Sequence, residues 1–508
     1  MKKSFILLCL IQVFFSCSDR RLQKEYPQID ILITNALILD GEGNKPFKGD
    51  IFIVGDKIVK ISQKKIRHDH VLKTIDAQGK FLAPGFIDLH SHGDALSTPD
   101  FENFLAMGVT TISLGQDGFS PNFIDLKDWK NKVDSTGIAL NIAMFVGHGS
   151  LRELSGIYEK KNPSKEEIAR MGALLEKNLE TCFGMSTGLE YTPGLYAEEN
   201  ELLELAKIVG KNDRLIMSHM RDEDDGALIE SIDELLAQGE FCRVHIAHLK
   251  SVYGKGSERA HEILDHLASA RNRGINVTAD VYPYTASYTG IAILFPDWCK
   301  TNEQFEIANR ERREELENFI RDKVKIRNGP EATLLGTEPY KGKTLLDLEQ
   351  ELKRPFEEIL IDDIGPEGAS AAYFVMNDTL QNTLIKDPKI GISSDGSKTS
   401  FHPRGHGTFA KIIEEFVVKS KVLTLEEAVR KMTSYAADIL KISDRGRIKE
   451  GMKADLIIFE PGNVKANATF SDPFQLSEGF DHVIVNGKIS RENDQLSEDR
   501  SGKVLKPE

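Results

Sequence analysis

Two hydrophobic periodicities divide the chain. From Asp30 to Ala83 short apolar runs alternate with polar positions: Ile31-Leu-Ile-Thr-Asn35, Ala36-Leu-Ile-Leu-Asp40, Asp50-Ile-Phe-Ile-Val54 and Lys57-Ile-Val-Lys-Ile61. Turn residues such as Gly41-Glu-Gly-Asn44 and Gly55-Asp56 separate several of them. Period-two alternation bounded by turn signals predicts short antiparallel strands. The pattern returns near the other end, in Ala454-Asp-Leu-Ile-Ile-Phe459 and His482-Val-Ile-Val-Asn-Gly-Lys-Ile489. Both ends together predict one small sheet domain made of residues 28–82 and 441–490, with 491–508 as a tail.

The middle, residues 83–440, alternates strand-like with helix-like segments, which marks a parallel α/β fold. Eight strands are predicted: Gly85–His92, Thr110–Asp117, Asn141–His148, Cys182–Gly188, Arg214–Met220, Arg243–Lys250, Asn276–Tyr284 and Lys389–Gly396. Helical periodicity fills most gaps, as in Ser164–Leu179 and Glu198–Val209. Eight parallel strands with intervening helices make a TIM (β/α)8 barrel. The stretch 298–388 is far longer than a βα connection requires. It reads as barrel helices plus an inserted lid, in which the charged helix-forming run Glu303–Arg327 presents a solvated face.

In such barrels the active site lies at the C-terminal ends of the strands. The residues ending the predicted strands are His90 and His92, Asp117, His148, Ser186-Thr187, His219, His248, Tyr282 and Asp395. One residue apart on a strand, His90 and His92 point the same way, and paired imidazoles suit Zn²⁺. Imidazoles and carboxylates ending six separate strands favour a metal site over scattered turn residues. Lys250 follows His248 by two positions and shares its face, and Arg404 follows the eighth strand. An arginine grips a carboxylate bidentately. Tyr191 and Tyr282, with Tyr284 as a rival to the latter, add phenol donors near the ends of strands four and seven.

Composition narrows the class. The chain has 508 residues, a formal net charge of −14 and a charged content of 28%. That is globular, and the acidic balance with no basic stripe argues against nucleic acid as a partner. Lys2-Lys3, the apolar run Phe5–Phe15 and Ser16-Cys17 read as an export signal over residues 1–17. A small residue directly before Cys17 resembles a bacterial lipobox, which would make Cys17 an acylated N-terminus and tether the protein in the cell envelope; an ordinary signal peptide is the alternative. Cys182, Cys242 and Cys299 are scattered and lack a Cys-x-x-Cys pair, so they read as free thiols.

The motifs taken together resemble the amidohydrolase superfamily, and within it the N-acyl-D-amino-acid deacylase (D-aminoacylase) family, over nearly the whole span from Asp30 to Lys488. The matching stretches are Ala83-Pro-Gly-Phe-Ile-Asp-Leu-His-Ser-His92, Gly184-Met-Ser-Thr-Gly-Leu-Glu-Tyr-Thr-Pro-Gly194 and Ser218-His-Met-Arg-Asp-Glu223. Further matches are Ala247-His-Leu-Lys250, Asp280-Val-Tyr-Pro-Tyr284, Ser394-Asp-Gly396 with His402-Pro-Arg404, and Gly446-Arg-Ile-Lys-Glu-Gly-Met-Lys-Ala-Asp-Leu456. The resemblance implies a metal-dependent TIM barrel with a small composite β-sandwich formed from both chain ends, binding one or two Zn²⁺ or similar ions. His90 and His92 would serve one position, His219 and His248 the other, and Asp395 the first metal and the chemistry. Tyr191, Lys250, Tyr282 and Arg404 would hold the substrate carboxylate.

One position departs from the family. Its cysteine ligand after the second strand is replaced by Asp117, in Gly115-Gln-Asp-Gly118. A carboxylate also binds Zn²⁺ but favours harder ions than a thiolate does; alternatively Asp117 only caps the following turn. The implied reaction is hydrolysis of an N-acyl-D-amino acid, Asp395 taking a proton from water and passing it to the leaving amine. The segment Ile291–Trp298 is apolar and carries no arginine, which points to a neutral substrate side chain. Rivals are a cyclic-amide hydrolase of hydantoinase or dihydroorotase type, a dipeptidase acting on D-residue peptides, and an inactive tethered binding protein. The oligomeric state is left open.

Overall fold

The computed structural model describes residues 21–507. The export signal and Cys17 lie outside the described residues. Eight parallel strands form the barrel in sequential order: β1 Phe86–Asp88, β2 Val109–Leu114, β3 Asn141–Gly147, β4 Gly184–Gly188, β5 Leu215–His219, β6 Arg243–Ile246, β7 Val277–Val281 and β8 Ile390–Ile392. Each falls within or overlaps a predicted segment. The ring closes just beyond the strands, where the Asp395 and His92 amides donate to the His90 and Gly396 carbonyls, each at 2.8 Å. Closure thus occurs at three of the predicted metal ligands, His90, His92 and Asp395.

Alternation along the strands sorts the core into two layers. Ile87, Leu89, Ala143, Phe145, Leu215 and Met217 share one buried cluster with Ala436, Ala437, Ile439 and Leu440 of the helix Ser434–Leu440. Ile142, Met144, Val146 and Ile216 join the larger cluster of the surrounding helices. Those helices begin where the chain supplies caps. Ser164 and Glu167 form a reciprocal capping box at the start of Lys165–Asn178, satisfying two amides that the first turn leaves free.

The terminal segments build one sheet of nine strands. Its long strand Ile29–Ile38 absorbs two predicted runs and pairs antiparallel with Phe47–Val54. Its other side pairs with Val71–Asp76, a strand not predicted, and with Phe81–Pro84. Phe81–Pro84 in turn pairs with Leu456–Phe459, which splices the two ends of the chain together. The Ile58 amide donates to the Met452 carbonyl, so the sheet returns on itself around Ile31, Ile33, Ile51, Leu456 and Ile484.

Two boundaries differ from expectation. Strand Lys488–Glu492 crosses position 490, and the following residues are not a loose tail: Gly502 and Val504 pair with Ile138 and Ile142 at the start of β3. The insert begins at Ser287 rather than at 298. Strands Ser287–Gly290, Thr333–Leu335 and Ser370–Tyr373 form a separate antiparallel sheet, order 287–290, 370–373, 333–335. With helices Asn302–Glu311 and Arg313–Ile326 they enclose their own core, including Leu294, Phe295, Leu316, Ile320 and Ile359. The predicted charged run is this helix pair. Helix Asp378–Lys386 then returns to the barrel and packs on Gly256–Asn272.

Candidate metal centre and active site

All six predicted ligands meet at the mouth of the barrel. Asp117 is the hub. Its Oδ1 lies 3.2 Å from His90 Nε2, 3.4 Å from His248 Nε2 and 3.8 Å from His219 Nδ1, and its Oδ2 lies 3.4 Å from His92 Nε2. Asp395 Oδ1 stands 3.2 Å from His92 Nε2 and 3.7 Å from His90 Nε2. Asp117 therefore joins the two histidine pairs and does more than cap a turn.

The backbone is strained where these residues are presented. Asp117, His248 and Asp395 have φ of 53°, 37° and 49°, in the left-handed region that side chains other than glycine seldom occupy. Gly115 and Gly118 flank the hub at φ 80°. A Cβ on Gly115 would lie 2.2 Å from the Phe145 carbonyl oxygen, so only glycine lets this turn pass so close to β3.

The donor set fits a divalent metal. Ligand atoms of His90, His92, Asp117 and Asp395 lie within 4.8 Å of one another, as do those of Asp117, His219 and His248. Both ring nitrogens of His90, and Asp117 Oδ1, are buried without a hydrogen-bond partner. Burial alone would raise the Asp117 carboxyl; the His90 charge and the close approach of the His248, His90 and His92 imidazoles outweigh it and hold it well below the usual carboxylate range. Asp395 is likewise held low against its burial, chiefly by the charges of Arg404 and His248. Two ionised carboxylates among four imidazoles are the set that Zn²⁺ takes.

Outer partners fix the rings, and two of them were missed in the sequence. Glu190 Oε2 is 3.0 Å from His219 Nε2, which leaves Nδ1 turned to the hub. Glu223 lies 3.3 Å from His248 Nδ1 and 2.7 Å from Lys250 Nζ. A signal existed: Glu223 stands four residues beyond a strand-end histidine in Ser218-His-Met-Arg-Asp-Glu223.

The substrate-binding candidates divide. Lys250, Arg404 and Tyr191 line a cavity of about 700 Å³ that opens on His92, Asp117 and Asp395. Lys250 Nζ is 2.8 Å from His248 Nδ1, and Arg404 Nη1 is 2.5 Å from Asp395 Oδ2. The Tyr191 ring packs on His219, centroids 4.5 Å apart. Tyr282 is not on the cavity wall; it is buried against Arg404, whose guanidinium lies 5.0 Å from its ring, and its hydroxyl has no partner. Tyr284 is turned away, towards Pro403 and His402. His148 is also absent from the cluster and pairs instead with Glu201.

The model of the Amidohydrolase family matches residues 351–491. N-acyl-D-aspartate deacylase of Alcaligenes xylosoxydans xylosoxydans is 31% identical over 96% of this chain and 98% of its own length. N-acyl-D-glutamate deacylase of the same organism is 28% identical over 91% of this chain and 93% of its own. The crystal structure of N-acyl-D-glutamate deacylase from Bordetella bronchiseptica, complexed with zinc and a phosphonate inhibitor, superposes with a TM-score of 0.82 at 27% identity, covering 94% of this chain and all of that one.

Proposed function

The chain belongs to the N-acyl-D-amino-acid deacylase family of the amidohydrolases, and on that premise we propose that it cleaves the amide bond of N-acyl-D-amino acids to a carboxylate and a free D-amino acid. The observation that carries the reading is the convergence of four histidines and two carboxylates on one cavity that also holds Lys250 and Arg404. His90, His92 and Asp395 would hold one divalent ion and His219 and His248 a second, with Asp117 between them. When bound, an ion such as Zn²⁺ supplies Lewis acidity, lowering the pKa of water to about 7 and polarising a carbonyl oxygen.

The protein's own groups do the rest. Asp395, held ionised beside Arg404, accepts a proton from the attacking water and returns it to the amine nitrogen as the amide bond breaks. The proton is essential because an amide anion is too poor a leaving group. Lys250 and Arg404 receive the α-carboxylate, with Tyr191 beside them. This orients the scissile carbonyl towards the ligand cluster. A lysine-bridged centre of the cyclic-amide hydrolase type has no support at β4, since Gly184–Gly188 contains no lysine.

The test is hydrolysis of paired N-acetyl-D- and N-acetyl-L-amino acids with added Zn²⁺ and with chelator. Metal-dependent release of the D-amino acid alone is expected; turnover of neither, with metal bound, overturns the reading. The leader and Cys17 support export and attachment to the envelope. Palmitate labelling that is lost in Cys17→Ser is the expected result, and unlabelled wild-type protein would refute it.

A further inference from the structure

A third buried cation, besides Lys250 and Arg404, faces the same cavity from the insert. Arg327 follows the helix Arg313–Ile326 and is 2% exposed, yet it lines the cavity wall. Its guanidinium lies 4.9 Å from the ring of Tyr373, in the central strand of the insert sheet. Its Nε has no hydrogen-bond partner, and its ion pair with Asp224 stands at 3.8 Å, too long for a hydrogen bond. A buried guanidinium with unused donors is costly unless an anion completes it.

The charge around it is not already spent. Asp224 is shared with Lys323, which holds its other oxygen at 3.2 Å, so one carboxylate faces two cations. Asp222 lines the adjoining groove with Lys323 and is not on this cavity wall. The placement relative to Lys250 is direct. Lys250 is held by Glu223, and Arg327 contacts the next residue, Asp224. The backbones of Glu223 and Asp225 bond to Val252 on either side, which sets both cations in one wall. Val252 and Ile293 give that wall an apolar floor. Two buried cations on one cavity wall suit a substrate that carries two carboxylates.

We propose that Arg327 takes the side-chain carboxylate of the substrate, making acidic N-acyl-D-amino acids, derivatives of D-aspartate or D-glutamate, the preferred class. This rests on the deacylase reading above. It reverses the expectation of a neutral side chain, which came from the absence of arginine in Ile291–Trp298; the cation enters from a segment about thirty residues further along, brought in by the fold of the insert.

The test compares kcat/KM for N-acetyl-D-glutamate with its neutral isostere N-acetyl-D-glutamine, and likewise for the aspartate and asparagine pair. A wild-type preference of about 100-fold or more for an acidic member is expected, since a site built for a charged partner rejects the analogue lacking it. Arg327→Met collapses that ratio to near unity, and Arg327→Lys, which keeps the charge without the planar fork, leaves an intermediate ratio. The ratio is independent of how much folded enzyme each variant yields, and the lysine variant decides should the methionine variant not fold. Turnover of the neutral members with no acidic preference, or a ratio unaltered in both variants, overturns the role of Arg327 alone. Turnover of no N-acyl-D-amino acid overturns the deacylase reading and this assignment with it.

Discussion

Two buried charged clusters sit in the same barrel, and both include a histidine at a strand end. In one, His148 Nε2 meets Glu201 Oε1 at 2.7 Å while Arg152 Nη1 reaches both Glu201 oxygens at 2.7 and 2.6 Å. The other Arg152 nitrogens donate to the Tyr158 and Lys160 carbonyls, and all three side chains are at most 1% exposed. Only His148 Nδ1 is left over. The mouth cluster is built the other way: its central atoms lack partners, a cavity reaches it, and three of its residues are held at positive φ. None of His148, Arg152 or Glu201 has a positive φ. Burial, charge and strand-end position are common to both, so they do not by themselves mark function. What separates the mouth cluster is the coincidence, at one point, of unpartnered ligand atoms, an adjoining cavity and positive φ at three converging residues.

The contrast can be broken most sharply at Asp395. Asp395→Asn is expected to lower kcat by about 10²- to 10⁴-fold with the circular dichroism and unfolding midpoint retained; near-normal turnover would remove Asp395 from the chemistry. Next comes the metal. Dialysis against chelator should abolish turnover reversibly, and Asp117→Ala should lower the metal content per chain measured by plasma mass spectrometry. Glu201→Gln should leave that content intact; if it fell instead, the two clusters would not be separable. That same variant carries the third effect. Removing one partner of a buried ion pair costs about 3–5 kcal/mol, so its unfolding midpoint should drop well below that of the wild type.

The smallest effect is on the acid side. Burial raises the Glu201 carboxyl, but hydrogen bonding to His148 and the charges of His148 and Arg152 outweigh it, and it titrates below its ordinary 4.5 when folded. A lowered folded value means that the stabilisation is complete above about pH 4.5 and is lost as pH falls through the folded value. Wild-type stability should therefore decline in that window, and Glu201→Gln should show a shallower decline. Parallel curves would refute the linkage.

Much of this was legible because periodicity is local. Apolar runs such as Phe81–Leu89 and Asn141–Val146 announce strands whatever surrounds them, and glycines such as Gly115 and Gly118 announce tight turns. The strand missed, Val71–Asp76, is mostly exposed along its length, so it carries no buried face to read. Tyr282 and Tyr284 share a strand end and a residue type, and no local rule says which faces the cavity; in the fold neither lines it. Glu190 and Glu223 are acids in polar loops until β5 and β6 bring His219 and His248 against them.

The chain alone determined the barrel, the splicing of both ends into one sheet domain, and the six side chains that gather at the strand ends, because a barrel delivers every strand terminus to one face. Tertiary structure decided that Asp117 is the hub, that His148 belongs to a closed structural cluster, and that Arg404 is paired with Asp395. It alone placed Arg327 in the cavity wall. Those outcomes depend on which distant segments meet, and contacts between residues far apart in sequence leave no periodic trace in the chain that makes them.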